Sequence, residues 1–154
     1  EQIAVVRRVL ETRALLEDRH FPIALRLLRG FLERRGARTG DVIVLNGLPR
    51  HEGQARRLQG LVQVDVLVHL ACDESTLLER IRTDAGGDRA DRTDDSLEDV
   101  RKKLRIFRAR TAPLMDFYRR AGSRIIEVPV RAGDGGEDAR RGLITRMGRS
   151  IGLD

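Results

Sequence analysis

The sequence predicts an α/β fold with a parallel sheet, and three observations predict it. Short apolar runs rich in branched residues at 42–45, 64–70 and 124–130 read as strands, the first of them buried on both faces. Segments with helical three-four spacing separate and flank these runs. Strands that alternate with helices form crossover units, whose strands lie parallel. The composition agrees: 40% of residues are hydrophobic and 3% aromatic, with no Trp, so the core is Leu, Val and Ile. A chain of 154 residues suits a single domain, 1–154.

Each element has a local cause. Residues 3–18 place Val5, Val6, Val9, Leu10 and Leu16 near one helical face. Pro22 suits the start of a second helix, through Arg35, with Leu25, Leu28 and Leu32 as its apolar stripe; Gly36 and Gly40 break the chain. After the run at 42–45 and Pro49, residues 51–58 form a weak helix with Gly53 inside it. Asp73 caps a helix over 74–83 beyond the second strand. "DAGGDRADRTDD", residues 84–95, is a polar loop. Ser96 with Asp99 forms an acidic variant of the capping box for a long helix, in which Leu97, Val100, Leu104 and Phe107 follow helical spacing. Pro113 kinks or restarts that helix. The third strand is followed by a turn, "AGDGGED", and a last helix over 139–151.

Composition also bounds function. The net charge is +6, and nearly all the positive charge is arginine, since Lys102 and Lys103 are the only lysines. Arginine is the better fork for phosphates and carboxylates, although base composition of a genome produces the same excess. Cys72 is the single cysteine, which excludes an intrachain disulfide and a cysteine-rich zinc site and points to a reduced, cytoplasmic setting. His20, His51 and His69 are not at metal-ligand spacing. No apolar run is long enough to cross a membrane, and neither a G-x-S-x-G elbow nor a G-x-G-x-x-G loop occurs.

What remains is arginine at strand ends and helix starts. Asn46, Gly47 and Arg50 fall where open α/β sheets bind ligands, at a carboxyl end of a strand. Gly47 permits close backbone approach, Pro49 stiffens the turn, Arg50 can grip a phosphate, and Gln54 follows one helical turn later with an amide able to donate and accept. An ordinary strand-to-helix turn with a solvated arginine satisfies the same spacing. Arg89 and Arg92 stand among the acids of the 84–95 loop; they read either as arginines of a closing lid or as screened surface charges.

Taken together, three segments resemble the adenylate kinases and related nucleoside monophosphate kinases. "NGLPRHEGQA" is similar to that family's D-G-F/Y-P-R-x-x-x-Q-A, "VDVLVHLACDESTLLERI" to its next strand and helix, and "RTDDSLEDVRKKLRIFRARTAPLMDFYRRAG" to its R-x-D-D, R/K-K-R-L and T-x-P-L/V-x-x-Y-Y run. The resemblance implies a three-layer P-loop kinase core with a parallel sheet, a helical monophosphate-binding region at 1–35, core at 36–83 and 96–154, and a short lid at 84–95. It implies transfer of the γ-phosphoryl of ATP with Mg²⁺ to a nucleoside monophosphate. Carried over, Gly47, Leu48, Pro49, Arg50 and Gln54 hold the monophosphate, with Arg50 on phosphate and Gln54 on adenine, and the Ala14, Leu15 and Leu16 backbone lines the same pocket. Arg80 packs on the ATP base, Arg82 or Arg89 supplies a further lid arginine, Arg92 clamps phosphates, and Lys103 takes an arginine's place beside them.

The departures from the family pattern are specific. Asn46 stands where the family has an aspartate near the magnesium waters, Arg13 where it has glycine, and Lys103 offers a point charge instead of a fork. No G-x-x-x-x-G-K-[ST] loop occurs in these residues, and the chain starts at Glu1; the family core therefore implies amino-terminal strands upstream. Phosphoryl transfer in this class depends on that loop, so the chain alone is expected not to catalyse it. Other readings are a nucleotide-binding relative without turnover, and a basic nucleic-acid binder, against which the scarcity of aromatics speaks. The complete protein is expected to be a monomer.

Overall fold

The structure is a computed structural model that describes residues 2–12, 17–85, 87 and 96–151. It divides into two compact units, Glu1–Gln63 and Val64–Asp154.

The first unit is helical. α1 (Gln2–Thr12) matches the start of the helix expected over 3–18. Residues 13–16 lie outside the described residues, and Asp18–His20 is a 3-10 turn. α2 (Phe21–Arg35) has Pro22 in its first turn, where the absent N–H costs no helical bond. It ends on Gly36 at φ 62°, with Ala37 N donating to Leu32 O and Gly36 N to Glu33 O, both at 3.0 Å, so that a left-handed residue satisfies the last carbonyls. α3 (Glu52–Leu58) follows, with His51 as its extended N-cap. Phe21, Gln54, Ala55 and Leu58 are buried.

The expectation of a buried strand over 42–45 is overturned. The segment has no regular secondary structure and joins no ladder among the described residues, and Val42 and Val44 are 93% and 87% exposed. Branched side chains favour extended backbone, but a strand also needs a neighbour to accept its N–H and donate to its C=O.

The second unit carries the sheet. β1 (Val66–Ala71) and β2 (Arg124–Pro129) pair in parallel, in register from Val66 with Arg124 to Ala71 with Pro129. The expected parallel sheet is therefore present, two-stranded among the described residues. Among the described residues the crossover between them holds three α-helices, with a π-helical turn between the last two. α4 (Glu74–Arg82) starts on Asp73, whose carboxylate accepts from Thr76 N at 2.6 Å. α5 (Leu97–Ile106) starts on Ser96, whose Oγ accepts from Asp99 N at 3.1 Å. Before Pro113 the helix widens: Ala112 N bonds Phe107 O, five residues back, at 2.8 Å, and α6 (Pro113–Arg120) then restarts with proline at its first position. The missing donor and the ring's clash with the preceding turn account for the break.

α6 and α7 (Gly136–Ile151) pack on β2. Gly142 allows the close approach of α7, since a Cβ there would lie 3.3 Å from a Val128 methyl. Val100, Leu114, Phe117, Tyr118, Ile126 and Val128 are buried in this unit. β2 shows the period-two alternation of a strand covered on one face, with Ile126 and Val128 buried and Glu127 exposed.

Candidate functional site

The Gly47–Arg50 turn is built by its own backbone. Gly47 adopts φ 78°, a left-handed conformation that costs an L side chain about 1–2 kcal/mol. A Cβ at this position would also meet Arg50 Nη2 at 3.2 Å. The Leu48–Pro49 peptide is cis. Arg50 Nε donates to Gly47 O at 2.9 Å, so the guanidinium folds over the turn while the residue remains exposed. Arg50 N donates to Gln54 Oε1, also at 2.9 Å.

Gln54 is fully buried, and the acceptor end of its amide is engaged by the Arg50 backbone. Arg50 precedes the extended N-cap His51, so the four-residue spacing brings Arg50 and Gln54 together through the backbone-to-amide bond and not on a shared helical face. The direction in which the amide turns is not contained in that spacing. The structure thus brings Gly47, Leu48, Pro49, Arg50 and Gln54 into one hydrogen-bonded turn, with Asn46 exposed beside it. Ala14, Leu15 and Leu16, like Arg13, lie outside the described residues.

In the second unit, Arg80 and Arg82 occupy the last turn of α4, and Lys103 is exposed on α5. Arg80 Nη1 donates to Arg131 O at 2.9 Å, to Ala132 O at 3.4 Å and to Asp134 O. This three-carbonyl grip was not legible in the sequence, because no local signal links α4 to the turn after β2. Arg82 is exposed. Arg89 and Arg92 lie outside the described residues, as does most of the expected lid.

The chemistry of the chain's own groups is positive charge and hydrogen bonding. No cluster of three or more His, Cys, Asp or Glu side chains that could hold a metal exists among the described residues. The amide of Asn46 is neutral and can contact metal-bound water only through hydrogen bonds. Cys72 is no activated nucleophile: desolvation, then the Asp73 charge, pushes its thiol up, against a smaller lowering by Arg80. Among the described residues no helix is long and apolar enough to cross a membrane.

Comparison with known proteins finds chains similar to this one in sequence. Adenylate kinase from Thermobifida fusca is 35% identical over 101 residues, covering 62% of this chain and 51% of that protein. Adenylate kinase from Rhodopirellula baltica is 35% identical over 103 residues, 64% of this chain and 52% of that protein. Adenylate kinase from Treponema denticola is 27% identical over 138 residues, 73% of this chain and 64% of that protein. The chain spans about half the length of the first two relatives. No protein-family profile matches it, and no solved structure matches it.

Proposed function

We propose that this chain, which is a relative of the adenylate kinases, carries the acceptor-binding part of a phosphotransferase that moves the γ-phosphoryl group of ATP to AMP or a related nucleoside monophosphate. The observation that carries this reading is the Arg50 turn. Gly47 O holds Nε and Gln54 Oε1 holds the Arg50 backbone, which leaves the guanidinium ordered at an exposed turn. An ordered fork loses less entropy on gripping a phosphate than a mobile one.

Transfer of a phosphoryl group through a loose, charge-spread transition state asks a protein chiefly for orientation and positive charge. On this reading Arg50 orients the acceptor phosphate, within a pocket formed by Gly47, Leu48 and Pro49 and the backbone of Ala14, Leu15 and Leu16. Service of the base by Gln54 requires its buried amide to be uncovered on binding. Arg80, Arg82 and Arg89 serve ATP, and Arg92 and Lys103 offset negative charge on the phosphates. Magnesium enters with ATP as part of the substrate, and Asn46 contributes at most a hydrogen bond to its waters. The working unit is a cytoplasmic monomer, and its partners are ATP and the monophosphate.

Calorimetric titration of the 154-residue chain with AMP tests the reading. Saturable binding is expected, weakened roughly ten- to a hundredfold by Arg50→Ala, the usual cost of losing a charge-assisted hydrogen bond. No heat of binding, or binding indifferent to Arg50, overturns it. A second reading, a nucleotide-binding relative without turnover, is favoured by the uncharged Asn46. ADP formation from ATP and AMP by a protein that joins these residues to a G-x-x-x-x-G-K-[ST] loop excludes that second reading. These residues contain no phosphate loop of the G-x-x-x-x-G-K-[ST] kind, so binding without turnover is the result expected of the 154 residues on either reading.

A further inference from the structure

Three positions in and around α3 converge on one acidic residue outside the Arg50 turn. His51 Nε2 lies 2.7 Å from Asp18 Oδ1, a close polar contact that is not aligned as a hydrogen bond. Arg57 Nη1 donates to the backbone oxygen of Asp18 at 3.2 Å. A Cβ at Gly53 would lie 3.2 Å from Asp18 Oδ2, tighter than ordinary contact, so glycine leaves the space that the carboxylate uses.

A partly exposed polar contact by itself contributes little, even when both partners are charged. Here the His51 side chain is 12% exposed and that of Asp18 50%, and the contact is one of three. Its position matters more than its strength. Asp18 opens the 3-10 turn that leads into α2, and His51 directly follows Arg50. The His51 carbonyl accepts from Gln54 N and Ala55 N, each at 3.1 Å, and Gln54 Oε1 accepts from Arg50 N at 2.9 Å. A continuous path of bonds and contacts therefore runs from Asp18 through the first turn of α3 to the Arg50 backbone.

We propose that Asp18 is a positioning residue for Arg50: held through its backbone oxygen by Arg57 in the last turn of α3, it fixes the start of that helix through His51 and Gly53 and so aims the guanidinium at an anionic phosphate of the ligand. The proposal rests on the reading of the Arg50 turn as a phosphate site.

The test titrates the 154-residue chain with AMP in unsubstituted form and as Asp18→Asn, Gly53→Ala and the double variant, with Arg50→Ala as reference and thermal midpoints alongside. Asp18→Asn removes the charge. Gly53→Ala presses a methyl on the carboxylate while improving helix propensity, so a merely structural role predicts no loss of affinity from it. The expected result is a roughly three- to tenfold weaker AMP affinity in both single variants, as for coupled neighbours. The Gly53→Ala midpoint does not fall, and the double variant is no weaker than Asp18→Asn. Unchanged affinity in both single variants, or additive losses in the double, overturns the proposal while Arg50→Ala still weakens binding. Absence of AMP binding by the unsubstituted chain overturns the functional reading and the positioning role with it.

Discussion

Arg80 and Arg131 are joined by a hydrogen bond of 2.9 Å from the Arg80 Nη1 to the Arg131 carbonyl, across 51 residues of sequence. The same nitrogen reaches the carbonyls of Ala132 and Asp134, and Asp134 Oδ2 accepts from Arg131 N at 2.8 Å. One guanidinium thus ties the end of α4 to the turn between β2 and α7. Arg80→Ala removes the donor from all three carbonyls and is expected to lower stability by about 1–3 kcal/mol, the usual range for hydrogen bonds to a charged group. Arg80→Lys restores part of this, because an ammonium can donate to the same carbonyls but sits on a shorter side chain. Urea midpoints of the three proteins check the order, and an unchanged midpoint in Arg80→Ala contradicts the assignment.

Gly47 is the second backbone determinant. Its φ of 78° and the 3.2 Å gap between a built Cβ and Arg50 Nη2 act together. Gly47→Ala is expected to cost about 1–2 kcal/mol in stability from the left-handed backbone. The added methyl also displaces the guanidinium, so AMP affinity falls further than stability alone accounts for. Denaturation and calorimetry on the same variant separate the two losses. Weakened stability with unaltered affinity rules out the close contact as an element of the binding site.

The Asp73 carboxyl is held below its ordinary range, first by the hydrogen bond from Thr76 N, then by the Ser75 hydroxyl. A depressed carboxylate contributes stability that is present above the unfolded value and is lost as pH falls through the folded one. At neutral pH the unsubstituted chain is therefore expected to be more stable than Asp73→Ala. The gap narrows as the medium is acidified below the ordinary carboxylate range. Thermal midpoints of both proteins from neutral to strongly acidic pH check this, and a gap that widens on acidification refutes it.

These cases show what the sequence could carry. Asp73 and Ser96 were legible as caps because the donors they satisfy lie within three residues of them. Pro113 announced a break because its effect is confined to the preceding turn. β1 and β2 were legible as apolar runs bounded by polar residues, to within two residues at their ends. The run at 42–45 is more uniformly apolar than either and is not a strand, because pairing is a relation between segments and composition describes only one of them. The candidate turn at 47–50 was visible from Gly47, Pro49 and Arg50. The buried orientation of Gln54, the Arg80 grip and the approach of His51 to Asp18 were not, since each is fixed by contacts or geometry with no local signature.

Tyr118 offers a test in the core of the second unit. Its side chain is buried at the end of α6, edge-on to Phe117 with ring centroids 5.2 Å apart. Its hydroxyl oxygen has no hydrogen-bond partner among the described residues. Burial pushes the phenol up, so the group remains neutral. A buried hydroxyl without a partner forfeits its hydration on folding and receives nothing in return. Tyr118→Phe keeps the ring and its packing and removes only that hydroxyl. The expected outcome is stability that is unchanged or higher by about 1 kcal/mol, in contrast to Tyr118→Ala, which opens a cavity and costs about 3–5 kcal/mol by analogy with other large aromatic truncations. Urea denaturation of the two variants measures both. A loss of more than about 1 kcal/mol in Tyr118→Phe would mean that the hydroxyl finds a partner in solution, since a net hydrogen bond is worth that much.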